Sequence, residues 1–214
     1  MTILELKNVR YSYDGKTNVL KNISVSLEAG KIYAILGPSG CGKTTLLSLL
    51  GGLDSPSAGQ ILFHGEDIEK TGLAAHRKKH VAFIFQNYNL IDYMTPMENV
   101  ALTSKLPPMP VLESVGLTQE EARRNSLQLS GGQQQRVAIA RALACDAQVI
   151  LADEPTGNLD EDTAAEITGL LKNCVRSRNK IQRCIVIVTH SAALAKQADV
   201  ILRLKRGELI FAAS

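Results

Sequence analysis

The stretch that most constrains this chain is Gly37 to Thr44, which reads Gly-Pro-Ser-Gly-Cys-Gly-Lys-Thr. It matches the phosphate-loop template G-x-x-x-x-G-K-[ST] without a mismatch. A short apolar run, Ile32 to Leu36, precedes it, and Thr44 to Leu50 follows with the pattern of a helix. An ordinary glycine turn capping a helix is the alternative, but this order of strand, loop and helix favours a phosphate-binding loop.

The residue types in this stretch explain how it would hold phosphate. Glycines at Gly37, Gly40 and Gly42 let the backbone turn tightly, so that amide N–H groups and a helix N-terminus face the negative charge. We expect Lys43 to reach the β- and γ-phosphates, and the Thr44 hydroxyl to bind Mg²⁺. The sequence therefore predicts binding of a nucleoside triphosphate together with Mg²⁺.

Composition limits the class of protein. The chain has 214 residues, 45% of them hydrophobic, which is enough for one domain with an inserted subdomain. Its net charge of +3 is small and evenly spread, so nucleic acid is not an expected partner. We interpret the basic run from His76 to His80 as a solvated face. No apolar stretch reaches the length of a membrane span, and residues 1–10 lack a signal core, so we expect a cytosolic chain.

The cysteines show neither metal-ligand spacing nor a paired framework, a pattern typical of a reducing compartment. They are Cys41, Cys145, Cys174 and Cys184. Cys41 lies in the phosphate loop at a helix N-terminus, where a thiolate is favoured, and is therefore a candidate reactive thiol. The plainer interpretation, which we prefer, is that a small side chain fits a tight loop.

Hydrophobic patterning predicts an α/β fold. Alternating residues at 3–9 and 20–27 indicate an antiparallel ribbon turning at Asp14-Gly15, where Tyr11 and Tyr13 are expected to pack in the sheet rather than stack on a base. Further strands are predicted at 60–63, 81–85, 149–152 and 184–188, a closing hairpin at 200–211, and helices at 133–145 and 162–175. The buried strand before Asp153 and Glu154 delivers both carboxylates to the sheet edge where ligands bind.

Residues 87–128 have a different sequence pattern from the rest of the chain. Two capping-box patterns start helices at Thr95 and Thr118, and Pro107, Pro108 and Pro110 interrupt any continuous helix between them. We interpret this segment as a small, mostly helical insertion into the α/β core. Its apolar side chains near the start either form its own core or belong to a docking surface for a partner; they are Tyr88, Leu90, Ile91, Met94 and Met97.

The run Leu129-Ser130-Gly131-Gly132-Gln133, followed by Gln135-Arg136, resembles the signature sequence of ATP-binding-cassette (ABC) ATPases. The resemblance covers nearly the whole chain, with every motif in the family's order. It implies a P-loop NTPase core with a mainly parallel sheet and an antiparallel β subdomain (1–86 and 129–214), and a short helical subdomain (87–128). It also implies ATP hydrolysis, with ATP and Mg²⁺ as cofactors.

The resemblance assigns a role to each motif residue. Tyr13 matches the aromatic residue that stacks on adenine, which reverses the choice made from pattern alone. Asp153 matches the Mg²⁺-binding carboxylate, Glu154 the catalytic base and His190 the histidine that contacts the γ-phosphate. Gln86 matches the glutamine that touches both Mg²⁺ and the attacking water. The implied nucleotide-binding residues are Tyr13, Gly37, Pro38, Ser39, Gly40, Cys41, Gly42, Lys43, Thr44, Thr45, Ser130, Gly131, Gly132, Gln133 and Asp160.

The same resemblance implies partners. Ser130 to Gly132 would act on the ATP of a second, identical chain, and Asp160 would belong to the loop joining the two. Gly157-Asn158-Leu159-Asp160 is similar to the branch of lipoprotein-release, macrolide-efflux, cell-division and antimicrobial-peptide-resistance cassettes. A separate transmembrane permease would hold the pair at the cytoplasmic face of the membrane.

Two departures concern the part that docks such a permease. Residues 87–128 form a shorter segment than most family members carry, and Ser126 stands where a proline is usual. Two functions stay open at this point. The cassette either powers transport, or drives a membrane signalling or cell-wall-remodelling complex without transport.

Overall fold

The computed structural model describes residues 1–104, 107–176 and 182–211. Its strands are β1 (Thr2–Ser12), β2 (Asn18–Glu28), β3 (Ile32–Leu36), β4 (Ala58–Phe63), β5 (Glu66–Asp67), β6 (Val81–Ile84), β7 (Val149–Asp153), β8 (Cys184–Thr189), β9 (Val200–Lys205) and β10 (Glu208–Phe211). Its helices are α1 (Lys43–Leu50), α2 (Ile68–Thr71), α3 (Leu73–His80), α4 (Pro96–Ala101), α5 (Pro108–Ser114), α6 (Gln119–Arg123), α7 (Gly131–Ala144), α8 (Glu161–Arg176) and α9 (Ala192–Ala195). A 3₁₀ turn, Ser126–Gln128, separates α6 from α7.

The first sheet is antiparallel, in the order β2-β1-β4-β5. Val9 pairs with Ile23 and Leu6 with Val25, so the buried residues of β1 and β2 share one face. This is the ribbon that the alternating sequence predicts, because alternate side chains of a strand point to the same face.

The second sheet has the order β10-β9-β3-β8-β7-β6, with every neighbouring pair parallel except β10 and β9. All six residues of β8 are buried, as are the first four of β7, because helices cover both faces of a parallel sheet. The strands β3, β8 and β7 lie side by side. Their carboxyl ends therefore bring three loops that are distant in sequence to one edge.

The segment between β6 and α7 is helical, as predicted, and both capping boxes form at Thr95 and Thr118. The prolines interrupt the helix as predicted, because α4 ends at Ala101 and a separate helix begins at the prolines, with Pro107 at the N-cap of α5 and Pro108 just inside it. Proline is tolerated there because the first N–H groups of a helix have no intrahelical acceptor. The division of the chain into a core and a subdomain at 87–128 remains a prediction.

The apolar side chains at the start of this segment are only partly exposed. Leu90 and Met97 pack against the buried core, which favours the core interpretation for them. Tyr93, which the sequence analysis did not single out, is 78% exposed. None of the helices in the described ranges is long and apolar enough to cross a membrane.

The interpretation of the basic run as a solvated face is partly wrong. Lys78 and Lys79 are exposed, but His76 is buried, and its Nε2 donates to the Leu50 carbonyl at 3.1 Å. The ring of His80 stacks on Phe63 at a centroid distance of 4.3 Å. The run is amphipathic because α3 packs one face against α1 and the antiparallel sheet.

Burial lowers the pKa of His76 below its ordinary value of 6.5, with smaller contributions from His80 and Arg77. Its Nδ1 has no hydrogen-bond partner among the described residues, so a second proton there would be buried without an acceptor. The unfolded chain therefore binds this proton more readily than the folded one. The free energy of unfolding should decrease as pH falls below about 6.5.

Urea unfolding between pH 8 and pH 5 tests this expectation. The His76→Gln variant, whose amide can still donate to the Leu50 carbonyl but does not titrate, should lose stability less steeply as pH falls. Identical pH dependence in the wild type and the variant would contradict a titrating, buried His76.

Candidate active site

The phosphate loop connects β3 to α1, and its shape requires glycine at both ends. Gly42, the N-cap of α1, has φ 101°, which residues with a side chain rarely adopt. A Cβ on Gly37 would lie 2.6 Å from both the Cys41 Sγ and the Leu204 carbonyl oxygen. Cys41 is half-buried beneath the loop, which favours the packing interpretation of this residue.

Lys43 lies inside the loop rather than extending into solvent. Its ammonium group donates to the carbonyl oxygens of Gly37 at 2.8 Å and Pro38 at 3.1 Å, and the residue is 9% exposed. A positive charge is thus fixed among the backbone groups that would surround a phosphate.

Thr44 joins the loop to β7. Its hydroxyl donates to Oδ2 of Asp153 at 3.0 Å. Burial raises the pKa of Asp153, and the neighbouring Glu154 carboxylate raises it further, against the lowering effects of Thr44 and Lys43. The raised pKa means that ionising this carboxyl group costs free energy, and a cation beside Asp153 would offset that cost. The hydroxyl oxygen of Thr44 and the carboxylate oxygens of Asp153 therefore suit a hard cation such as Mg²⁺.

Glu154 follows β7 in a left-handed conformation, with φ 45°. Such a backbone costs a non-glycine residue about 1–2 kcal/mol, and strain of this kind concentrates at functional sites. Its N–H donates to the Val188 carbonyl at 3.0 Å, which anchors the residue to β8. The carboxylate lies 3.0 Å from Nδ1 of His190 and accepts the backbone N–H of His190 at 3.3 Å. Two catalytic candidates from different loops are therefore held in contact.

Gln86 comes to the same edge from β6. Its side-chain amide donates to the side-chain oxygen of Asn158 at 3.2 Å, and Asn158 donates back to the Gln86 carbonyl at 3.2 Å. Two and three residues further along the chain, Tyr88 and Asn89 have φ values of 60° and 47°. Arg141 of α7 donates to both of their carbonyl oxygens, at 3.0 Å and 2.6 Å. The path of the chain after Gln86 is thus fixed by α7.

These groups surround a cavity of about 580 Å³. Its lining residues are Tyr13, Val19, Ser39, Gly40, Gly42, Lys43, Thr44, Thr45, Gln86, Asp153, Glu154 and His190. Tyr13 is 72% exposed and shares a hydrogen bond of 2.7 Å with the Thr45 hydroxyl, whereas Tyr11 is buried and bonds to Asp54. The structure thus separates the two tyrosines into one at the rim of the cavity and one in the core.

The signature residues lie apart from this cavity. Ser130 caps α7, and its hydroxyl accepts the N–H of Gln133 at 3.3 Å. Asp160 caps α8 through the N–H and hydroxyl of Thr163, at 3.0 Å and 2.8 Å. A Cβ on Gly132 would lie 2.7 Å from the Thr163 side chain, so this patch is packed against the start of α8. Ser130 to Gln133 and Asp160 do not line the cavity of their own chain.

Three residues of the site were not predicted from the sequence. Val19 lines the cavity from β2, Asn158 bonds to Gln86, and Arg141 holds the loop after it. Val19 is an apolar residue next to the buried Leu20, so it breaks the alternation of apolar and polar residues in β2. This break is the sequence signal that could have identified Val19 as a residue of the site. Asn158 and Arg141 act through partners distant in sequence, which no local pattern records.

A cavity built on a phosphate loop, two acidic residues and a histidine defines a nucleoside triphosphatase. The ABC transporter family model matches residues 20–157. The uncharacterised ABC transporter ATP-binding protein YclH of Bacillus subtilis is 44% identical over 97% of this chain and 95% of its own length. The lipoprotein-releasing system ATP-binding protein LolD of Psychrobacter arcticus is 41% identical over 96% of each.

Solved structures of related cassettes support the same family. The dimeric structure of MJ0796, a bacterial ABC transporter cassette, superposes with a TM-score of 0.85 at 34% identity and covers 99% of this chain and 100% of that one. A second structure of MJ0796 shows a post-hydrolysis dimer bound to ADP and Pi. The chain belongs to the ABC transporter family. It is an ATP-binding subunit that hydrolyses ATP and energises a permease.

Replacing Lys43 tests the assignment of the cavity. Lys43→Ala removes the fixed positive charge and should weaken ATP binding at least about tenfold, measured by titration calorimetry. The exposed Lys79→Ala variant is the control and should bind ATP with wild-type affinity. Wild-type affinity in Lys43→Ala would place the triphosphate elsewhere.

Proposed function

We propose that the cavity binds MgATP, with adenine against Tyr13 and the phosphates in the loop. The loop glycines, Lys43 and the N-terminus of α1 supply the electrostatic environment that a triphosphate needs. Thr44, Asp153 and Gln86 would hold Mg²⁺. Among the described residues no three His, Cys, Asp or Glu side chains could hold a metal ion on their own, so phosphate oxygens would complete its coordination.

Glu154 would act as the general base. Its carboxylate lies at the cavity and would take a proton from the water that attacks the γ-phosphorus, as the bond to the leaving ADP oxygen breaks. His190, in contact with this carboxylate at 3.0 Å, would donate a hydrogen bond to a γ-phosphate oxygen. Mg²⁺, when bound, would neutralise charge on the phosphates.

The observation that carries the proposal is the separation of the signature residues from the cavity of their own chain. The cavity is lined by the phosphate loop and by the residues at the ends of the parallel strands. A separate patch does not line it and consists of Ser130, Gly131, Gly132, Gln133 and Asp160. A second copy of the chain would bring its patch to this ATP, with the N-terminus of α7 facing the phosphates. The dimer of MJ0796 supports two identical chains as the working pair.

We further propose that a transmembrane permease positions the pair at the cytoplasmic face of the membrane. The names of the related ATP-binding proteins, including the lipoprotein-releasing LolD, support transport rather than signalling. The exposed Tyr93 lies in the segment between Gln86 and α4 and is the apolar side chain we assign to this contact.

Glu154→Gln tests the proposed mechanism. The amide cannot accept a proton, so the rate of ATP hydrolysis should fall about 100-fold or more while ATP still binds. The variant should accumulate as an ATP-bound dimer in sedimentation velocity. The exposed Glu161→Gln variant is the control and should hydrolyse ATP normally. Wild-type turnover by Glu154→Gln would assign the base to another residue.

Reconstitution in vesicles distinguishes transport from signalling. With the cassette and its permease in the membrane, ATP should drive a labelled permease substrate across the bilayer, and Glu154→Gln should abolish this flux. ATP-driven activation of the membrane partner without flux would instead support the signalling or cell-wall-remodelling function.

A further inference from the structure

The capping boxes of α6 and α7 are joined to each other through Glu121. In the box of α6, Glu121 Oε2 accepts the backbone N–H of Thr118 at 2.7 Å and its hydroxyl at 2.9 Å. The second carboxylate oxygen accepts the side-chain amide of Gln133 at 2.6 Å. Gln133 is the box residue of α7, and its own Oε1 accepts the backbone N–H of Ser130 at 2.8 Å. An unbroken run of hydrogen bonds therefore ties the start of α6 to Ser130.

This run has a fixed direction. A carboxylate only accepts, and the two oxygens of Glu121 serve Thr118 and Gln133 separately. The Gln133 NH₂ group donates to Glu121, and the Gln133 amide oxygen accepts the backbone N–H of Ser130, so turning the amide over would break both bonds. The ionised carboxylate also makes the bond to Gln133 charge-assisted and short. Glu121 thus fixes the Gln133 side chain and, through it, the backbone at Ser130.

We propose that Glu121 is a positioning residue for the signature loop, holding Ser130 and Gln133 ready to receive the ATP of a partner chain. This inference rests on the proposed function, which gives Ser130 that role. Glu121 does not line the cavity of its own chain. Replacing Glu121 should therefore weaken ATP-dependent dimerisation, the step in which the signature loop contacts the partner's ATP. A loop already held in its bound conformation loses less entropy on association.

The chain contains a matched control in the capping box of α4. Glu98 Oε2 accepts the backbone N–H of Thr95 at 2.7 Å and its hydroxyl at 2.9 Å, the same distances as in the box of α6. Within the described part of the chain, Glu98 bonds to neither Ser130 nor Gln133. The two glutamates therefore share a capping role and differ in their connection to the signature loop.

Replacing each glutamate by glutamine separates these roles. In Glu121→Gln the amide has one acceptor oxygen for two sets of donors, so the bond to Thr118 or the bond to Gln133 is lost. In Glu98→Gln the amide oxygen can face Thr95 while the NH₂ group faces solvent. The first substitution thus interrupts the run of hydrogen bonds, and the second leaves its box intact.

The experiment measures ATP-dependent dimerisation of both variants in the Glu154→Gln background by sedimentation velocity. The ATP concentration at half-dimerisation should rise at least about fivefold for Glu121→Gln and stay at the background value for Glu98→Gln. The melting temperature and the affinity for ADP, which report the fold and the cis site, should match the background in both variants.

Equal dimerisation by the two variants would overturn the role of Glu121. The role of Glu121 would also be overturned if Glu121→Gln lowered the melting temperature or the ADP affinity enough to explain its weaker dimerisation. Ser130→Asp separates this failure from failure of the proposed function, because aspartate still caps a helix but repels phosphate. If Ser130→Asp blocks dimerisation and Glu121→Gln does not, only the inference fails; if Ser130→Asp dimerises normally, the proposed role of the signature fails as well.

Discussion

The site depends on the parallel pairing of β3, β8 and β7. Parallel neighbours end at the same edge, so the phosphate loop, His190 and the pair of carboxylates after β7 converge although the chain separates them widely. The hydrogen bond from Thr44, in the helix that follows the phosphate loop, to Asp153 joins this loop to the end of β7. Because these strands are buried, the side chains at their ends are placed by a packed core rather than by flexible loops.

Much of this arrangement could be predicted from the sequence. The apolar runs that became β7 and β8 are typical of strands covered on both faces, and the capping boxes at Thr95 and Thr118 form as their spacing indicates. The solvated face predicted for the basic run ending at His80 is only partly correct, because a run of basic residues does not show that the other face of α3 is buried. The prolines interrupt the helix as predicted, but their presence alone does not indicate that they also start α5.

Connections between elements could not be predicted. The contacts of Arg141 with the carbonyls of Tyr88 and Asn89, and of Glu121 with Gln133, join residues whose approach only the folded chain determines. Both contacts end on α7, at opposite ends of the helix that begins with the signature. This helix thus links the loop after Gln86 at the cavity to the signature patch. Nothing in the local pattern of α7 distinguishes these roles from ordinary packing.

The catalytic site that we propose is complete only when two chains meet. The rate of ATP hydrolysis per chain, measured across a dilution series together with the sedimentation coefficient, tests it directly. If two chains share the site, the rate per chain should rise with protein concentration and follow the fraction of dimer. A constant rate per chain in samples that sediment as monomers would contradict it.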